Sequence, residues 1–529
     1  MPAKKQSVDM TQGSISGHLI RFAVPMLIGQ VFQQLYNTVD SVVVGQFVGK
    51  EALAAVGSTG NIINALIGFF SGLSMGAGVI ISQSFGARDS RGVHDAVHTS
   101  LLLTLLASVV CTALGLFAAP LMLEMMDTPA DVIGEAAEYL RIYFAGVAGL
   151  MFYNIGSGIL RAVGDSRRPL YFLIFSAVMN IVLDLLFVCS FHMGVAGVAY
   201  ATIISQILSA VLVIIVLMRS QEDYRLIPRE LRINGPILSR ILRIGLPAAI
   251  QTSVISFSNV FVQAYINEFQ SSCMAGWTSY NRLDAFAWLP MLCLGMANTT
   301  FVGQNLGAGK LDRVKKGVNI GILIAMAGTL IIVVPLMCFS DTMLKLFNSD
   351  PEVLRYGRMF VLYMSPFYIP YCATQIYSGA LRGAGDSLSP MIVTIASFVV
   401  FRQLYLLIGT QFISSPLFVG RAIPRAGLSA RSRCLSSTAA AAGKRSFPRM
   451  SACRLHNGRR SSPRCLVRLP YSYLIMAYHH KAQLSRQDRT RRESFSVFRP
   501  AYSSASSRTQ RPTICNSSTA MISLSHAAS

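Results

Sequence analysis

Apolar residues fall in long unbroken runs separated by short polar stretches, and eleven of these runs are long enough to cross a bilayer. They lie at about 18–44, 53–80, 93–120, 133–158, 169–191, 195–218, 236–266, 273–300, 315–340, 353–378 and 389–413. Crossing about 30 Å of hydrocarbon takes roughly 20 residues of helix. No ten-residue alternating pattern runs through them, and an open strand edge is not tolerated in lipid, so the pattern predicts helices. The polar start, residues 1–17, precedes a run too long for a signal-peptide core, which is therefore expected to stay attached as a span.

The pattern repeats. Leu160 to Pro169, LRAVGDSRRP, returns as Leu381 to Pro390, LRGAGDSLSP, with six identities at a shift of 221. The same shift carries Gln83 and Gly86 onto Gln304 and Gly307, while Pro25 falls on Pro247 at a shift of 222. Duplicated membrane units are a hallmark of transporters.

Composition agrees with a membrane location, with 52% apolar and 13% charged residues against about a quarter charged in soluble proteins. Lys and Arg gather in alternate loops: Lys4 and Lys5, Arg88 and Arg91, Arg161 with Arg167 and Arg168, Arg219 to Arg243, and Lys310 to Lys316. The positive-inside bias then places the N-terminus in the cytoplasm, with both LR-x-x-GDS loops on that side. The expected fold is an all-α polytopic membrane protein with two parallel-repeat six-helix lobes, related by an axis along the membrane normal.

Charged and polar residues inside spans are costly, which makes them functional candidates. Asp40 closes the first span. Asn180 and Asp184 share a face of the fifth, four residues apart; Thr202 lies in the sixth and Tyr139 opens the fourth. At ~1.5 Å per residue all five reach the outer half of the membrane and can meet in one cation-coupling pocket. Two carboxylates sharing such a pocket resist double ionisation, so one can take up and release a proton; alternatively the same oxygens suit a small hard cation such as Na+. In the second half Arg282 and Asp284 sit in the eighth span and Arg402 in the eleventh. Similar depth leads us to expect an Asp284–Arg402 pair, structural or substrate-facing.

Other chemistry is excluded or weak. The ten cysteines form no C-x-x-C pair, no Walker A motif is present, and no Ser–His–Asp arrangement suggests an enzyme. His94 and His98 are four apart but without a third ligand, so a polar helix start is expected rather than a metal site. Tyr36, Phe152, Trp277 and Trp288 are able to hold an organic cation by cation–π contact, although packing is the expected role of each.

From Gly13 to about Pro416 the chain resembles the multidrug and toxic compound extrusion (MATE) family, particularly its DinF-like branch. The resemblance rests on the parallel six-plus-six layout, Asp40, the Asn180–Asp184 pair and both LR-x-x-GDS loops. It implies an antiporter: H+ or Na+ runs inward while a small organic, often cationic, compound is expelled through a V-shaped cavity between two lobes, by alternating access. It implies a cation-linked network at Asp40, Asn180, Asp184 and Thr202, with Gln34 and Asn154 looking toward the cavity. It also implies no cofactor beyond the coupling ion, residence in the bacterial cytoplasmic (inner) membrane, and a monomer with no specific nucleic-acid partner. The NorM-like branch carries an acidic residue in the seventh span, and PAAIQTSVIS has none. A lipid-linked precursor flippase shares the layout but is expected to line its cavity with basic residues, of which only Arg282 and Arg402 qualify. A scaffold without transport has no need of Asp184 in hydrocarbon.

The end of the chain breaks the repeat. A twelfth span is due near 416–439, yet that stretch holds Arg421, Arg425, Arg431 and Arg433, each costing about 2.5–3.5 kcal/mol at a helix centre. From Arg421 to Ser529 there are 20 Lys and Arg, two acidic residues and 21 Ser, so the tail supplies +18 of the formal +22. It reads either as a basic disordered extension or, the favoured reading, as out-of-frame translation from about Phe418. The second leaves open a non-functional product lacking its twelfth helix. The resulting division is a segment 1–17, an N-lobe 18–218, a linker 219–235, an incomplete C-lobe 236–415 and the tail 416–529.

Overall fold

The computed structural model describes residues 7–411 apart from 127, 130 and 131, together with 416 and 419. The rest of the expected twelfth span, and the basic tail, lie outside the described residues. The fold is helical throughout what is described. In the first half α1 (Ile15–Val43), α2 (Lys50–Gly86), α3 (Ser90–Glu124), α4 (Ile133–Ala145), α5 (Val147–Ala162), α6 (Arg167–Asp184) and α7 (Gly194–Arg219) follow one another. The second half has α8 (Gly235–Asn267), α9 (Ser271–Gly307), α10 (Leu311–Cys338), α11 (Ser340–Lys345), α12 (Pro351–Met364), α13 (Tyr368–Gly383), α14 (Leu388–Thr394) and α15 (Arg402–Gly409).

Nine of the described helical stretches are long and apolar enough to cross a membrane, and α4 with α5, bent by 48°, makes a tenth. The remaining expected crossing, 353–378, is divided between α12 and α13, of 14 and 16 residues. Each alone falls short of the roughly 20 residues a crossing needs. Its break at Ser365–Phe367 is the copy of the bend at Gly146, 221 residues earlier.

The shift of 221 reproduces element ends closely. It carries α2 onto α9, both of 37 residues, and α5 onto α13. It also carries α3 onto α10 plus α11. Both GDS turns are closed in the same way. Gly164 (φ +90°) and Gly385 (φ +93°) occupy the left-handed region, and the next residue donates back across the turn, Asp165 N–H to Leu160 O at 2.9 Å and Asp386 N–H to Leu381 O at 2.9 Å. Glycine ends the helix there because a Cβ disfavours that backbone.

The halves are knitted together at the end bearing these turns, called here the basic end. Gln83 donates to the Gly383 carbonyl at 2.9 Å, and its repeat partner Gln304 donates to the Ala162 carbonyl, also at 2.9 Å. Because Gly383 is the copy of Ala162, the two bonds are one interaction made twice, each half capping the other. The opposite face of each amide is also used: Arg240 Nη2 donates to Gln83 Oε1 (3.2 Å) and Met10 N–H to Gln304 Oε1 (2.9 Å). A Cβ on Gly86 would overlap the Gln304 carbonyl, and one on Gly307 the Gln83 carbonyl. Farther along α2, Gly72 and Gly76 leave equally little room for Ala249 and Ile241 of α8. Small residues at such crossings are what permit close packing of helices in lipid, where dispersion replaces the hydrophobic drive.

The connection between halves is pinned to α3. Asp95 accepts from Arg232 Nη2 (3.0 Å) and Asn234 Nδ2 (3.1 Å). His98 Nδ1 faces the His94 carbonyl at 2.8 Å, which leaves Nε2 to accept from the Ile227 N–H at 3.1 Å. His94 Nε2 reaches Glu230 at 2.9 Å. The two imidazoles therefore serve as a docking surface for the linker, and among the described residues no cluster of His, Cys, Asp and Glu suits a metal.

Gly86→Ala is expected to lower the apparent melting temperature in detergent, since overpacking a tight crossing costs about 1–3 kcal/mol. Gly134→Ala, where nothing lies within 4 Å of the added carbon, serves as the control. Equal melting of the two variants would show that the crossing at Gln304 is not tight.

Candidate functional site

Asp40 and Asp184 meet in the first half of the chain. Each stands where an α-helix passes into a π-helical turn: α1 runs into Val44–Val48 and α6 into Leu185–Ser190. Such turns spoil the i to i−4 ladder locally and are frequent at functional sites. The two carboxyl groups lie within hydrogen-bonding reach of each other. Asp184 is fully buried and Asn180 is 2% exposed, so the predicted shared face points inward. Apart from the approach of the two carboxyl groups, Asp184 Oδ1 and Oδ2, Asp40 Oδ1 and both polar atoms of the Asn180 side chain have no hydrogen-bond partner among the described residues. No basic side chain forms an ion pair with either carboxylate there.

Tyr139 and Thr202 complete the pocket through each other. Thr202 donates to the Val198 carbonyl at 2.9 Å, so its oxygen is free to accept from the Tyr139 hydroxyl. Tyr139 is close enough to feel both carboxylates. Tyr36, a cation–π candidate by sequence, lines the same place, and so does Tyr143, which the sequence does not single out. Tyr143 stacks on Tyr139 with ring centroids 6.4 Å apart and lies close to Gln206. Its position four residues after Tyr139 was the available signal. Tyr36 lies near Gln33 and Asp40.

Two polar stripes face outward from the spans. Along α8, Thr252, Ser256 and Asn259 are exposed, and Gln263 donates to Asn267 Oδ1 at 2.8 Å. A shift of 222 carries Gln30, Gln34 and Asn37 of α1 onto Thr252, Ser256 and Asn259; Gln34 and Asn37 are exposed and Gln30 half-buried. Polar side chains presented at membrane depth mark a water-filled cavity rather than a lipid face. By contrast the outward side of α3 presents Val109, Leu114 and Phe117, as lipid requires. Asn154 is held within α5, its Nδ2 on the Leu150 carbonyl at 2.9 Å.

The second half corrects one expectation. Asp284 and Arg402 do not pair. Asp284 Oδ1 accepts from Tyr280 at 3.2 Å and from Tyr368, and the two phenols lie 2.9 Å apart; Trp288 is also within bonding reach. Arg402 instead donates to Ser258 Oγ at 2.5 Å and Asn259 Oδ1 at 3.0 Å. Equal depth along two helices does not fix the angle about each axis, and these side chains point to different neighbours. Arg282 is exposed and lies over the Phe347 ring, 5.9 Å from its centroid, apart from both. Trp277 is 3% exposed and packed against Tyr280 and Phe360, while Trp288 meets Tyr371 edge-on at 4.7 Å.

The MatE family profile matches twice, over residues 25–186 and 247–406, and so divides the chain at its own repeat. The chain belongs to the MATE family. Members of this family are transporters, and the protein is a multi-pass membrane transporter rather than an enzyme. It is 31% identical over 397 residues to the probable multidrug resistance protein YpnP of Bacillus subtilis, spanning 75% of this chain and 89% of that one. It is 24% identical to the FAD transporter of Shewanella oneidensis over 392 residues, 72% of this chain and 85% of the relative. Among solved structures, an outward-facing conformation of a multidrug resistance MATE family transporter of the MOP superfamily superposes with a TM-score of 0.78 at 26% identity. That match covers 83% of this chain and 98% of the other.

Asp184→Asn tests whether the pocket is structural. A buried carboxylate with no counter-ion costs stability, so the variant is expected to melt at or above the wild-type temperature in detergent. A clear loss of stability would mean that Asp184 holds the fold together.

Proposed function

We propose that this MATE transporter is a cation-coupled antiporter that exports small organic, often cationic, compounds by alternating access, with coupling at Asp40 and Asp184. The observation that carries the proposal is the approach of the buried Asp184 carboxyl group and the half-buried Asp40 carboxyl group, which has no basic side chain beside it. Two ionised carboxylates repel, and neither has a hydrogen to donate. One proton converts the repulsion into an O–H···O hydrogen bond, so the proton is the coupling ion this geometry favours over Na+. Asn180 lies beside the pair with amide atoms to spare, and the Tyr139–Thr202 contact borders it.

Protonation would then favour the arrangement of α1 in which Asp40 meets Asp184, while substrate favours another. Each ligand shifts the balance only by its difference in affinity for the two states. The π turns after Asp40 and Asp184 supply backbone that can rewind locally. The polar stripes on α1 and α8, with Gln34 on the first, line the proposed substrate path. The basic end, with both GDS turns, faces the cytoplasm on the positive-inside argument. The protein acts as a monomer in the cytoplasmic membrane, because each half supplies the partner of the other.

Ethidium efflux in everted vesicles tests the mechanism. Asp40→Asn and Asp184→Asn should each abolish proton-driven efflux, and replacing Na+ with K+ should leave wild-type efflux intact. Wild-type activity retained in both variants would refute coupling at this pair, and dependence on Na+ would reassign the ion.

A further inference from the structure

Arg402 is 1% exposed and sits in a spanning segment, yet among the described residues no carboxylate lies within ion-pair distance of it. A guanidinium in such a place is expensive unless its charge is met. Its acceptors are neutral, Ser258 Oγ and Asn259 Oδ1, and Nε–H has none. Asp284, the carboxylate set within the second half's spans, is taken by Tyr280 and Tyr368. Beyond residue 411 the sequence holds two acidic residues, Asp488 and Glu493.

The placement is also informative. Arg402 directly follows the π-helical turn Ile395–Phe401, as Asp40 and Asp184 adjoin theirs. A shift of 221 sets it opposite Ile181, one turn from Asp184. Thus the second half carries a guanidinium where the first carries carboxylates. The two acceptors differ in freedom. Ser258 Oγ also accepts from Gln403 Nε2 at 2.9 Å and itself donates to the Phe398 carbonyl at 2.8 Å, so it is fully committed. Asn259 is exposed on the polar stripe, and its amide oxygen occupies the position an incoming anion would take.

We propose that Arg402, covered by Asn259, forms an anion subsite in the second half, which takes the carboxylate of a transported compound when Asn259 swings aside. Resting on the transport reading above, this assigns the carboxylate of such a compound to a contact in the second half. The bond from Nη1 to the amide joins a charged donor to a neutral acceptor, whereas a carboxylate in its place also meets the charge of the guanidinium. An anionic lipid headgroup offers similar chemistry, so the test separates the two sources.

Rhodamine B, which has a free carboxylate, and its ethyl ester, which lacks one, are titrated onto the full-length protein in phosphatidylcholine nanodiscs and followed by fluorescence polarisation. Arg402→Gln should weaken rhodamine B by about 10-fold or more and the ester by less than about 2-fold, as expected for losing one charged contact. Retained ester binding shows that the variant is folded. Asn259→Ala keeps the guanidinium and should bind rhodamine B at least as well as the wild type. Equal loss of both dyes, or of neither, overturns the subsite. Wild-type affinity for rhodamine B that falls with added phosphatidylglycerol, without any difference between the dyes, assigns the anion to lipid and overturns a substrate carboxylate. Wild-type ethidium efflux is measured alongside: efflux without discrimination between the dyes sinks the subsite and leaves the transport reading standing.

Discussion

Hydrocarbon offers a polar group no water, and every informative feature of this chain follows from that constraint. Backbone polar groups must be satisfied within a segment, so the spans are helices. Side-chain polar groups must be bonded, must line a wet cavity, or must wait for a ligand. Thr202, Ser253 and Thr299 take the first course, each donating to the carbonyl four residues back. The exposed stripes through Gln34 and Asn259 are suited to the second. Asp184 follows neither, and Arg402 is bonded only to neutral groups, with its charge unmet.

The duplication supplies a frame against which these exceptions stand out. Two copies of one unit are held by two copies of one contact, Gln83 to Gly383 and Gln304 to Ala162. Tight glycine crossings at the same end keep the halves in register. The joint lies at one end of the halves, and the polar stripes run along α1 and α8 away from it. Identical packing needs identical small residues, so Gly86 and Gly307 correspond. Chemistry has no such need, and there the copies diverge, with carboxylates in the first half and a guanidinium in the second.

Much of the fold was legible in the residues. The apolar runs gave the spans, the GDS echo gave the repeat, and the spacing of Asn180 and Asp184 gave a common inward face. Asp284 and Arg402 do not pair, because counting residues measures depth and not rotation about the helix axis. The break between α12 and α13 is hidden in the sequence because an apolar run continues through Ser365 and Pro366, where the α-helix gives way to a 3-10 turn. The phenol clamp on Asp284 was not legible at all, since Tyr280 and Tyr368 lie 88 residues apart in sequence.

By itself, then, the sequence determined what hydropathy and periodicity encode: a membrane location, helices, a parallel duplication, and the few costly polar residues to watch. Only the tertiary structure decided which of those residues meet. Asp40 found Asp184, while Arg402 found a serine and an amide rather than an acid. Partner choice depends on the rotation and crossing of helices, which are set by contacts distant in sequence, and that information is spread over the whole packing rather than written at any one position.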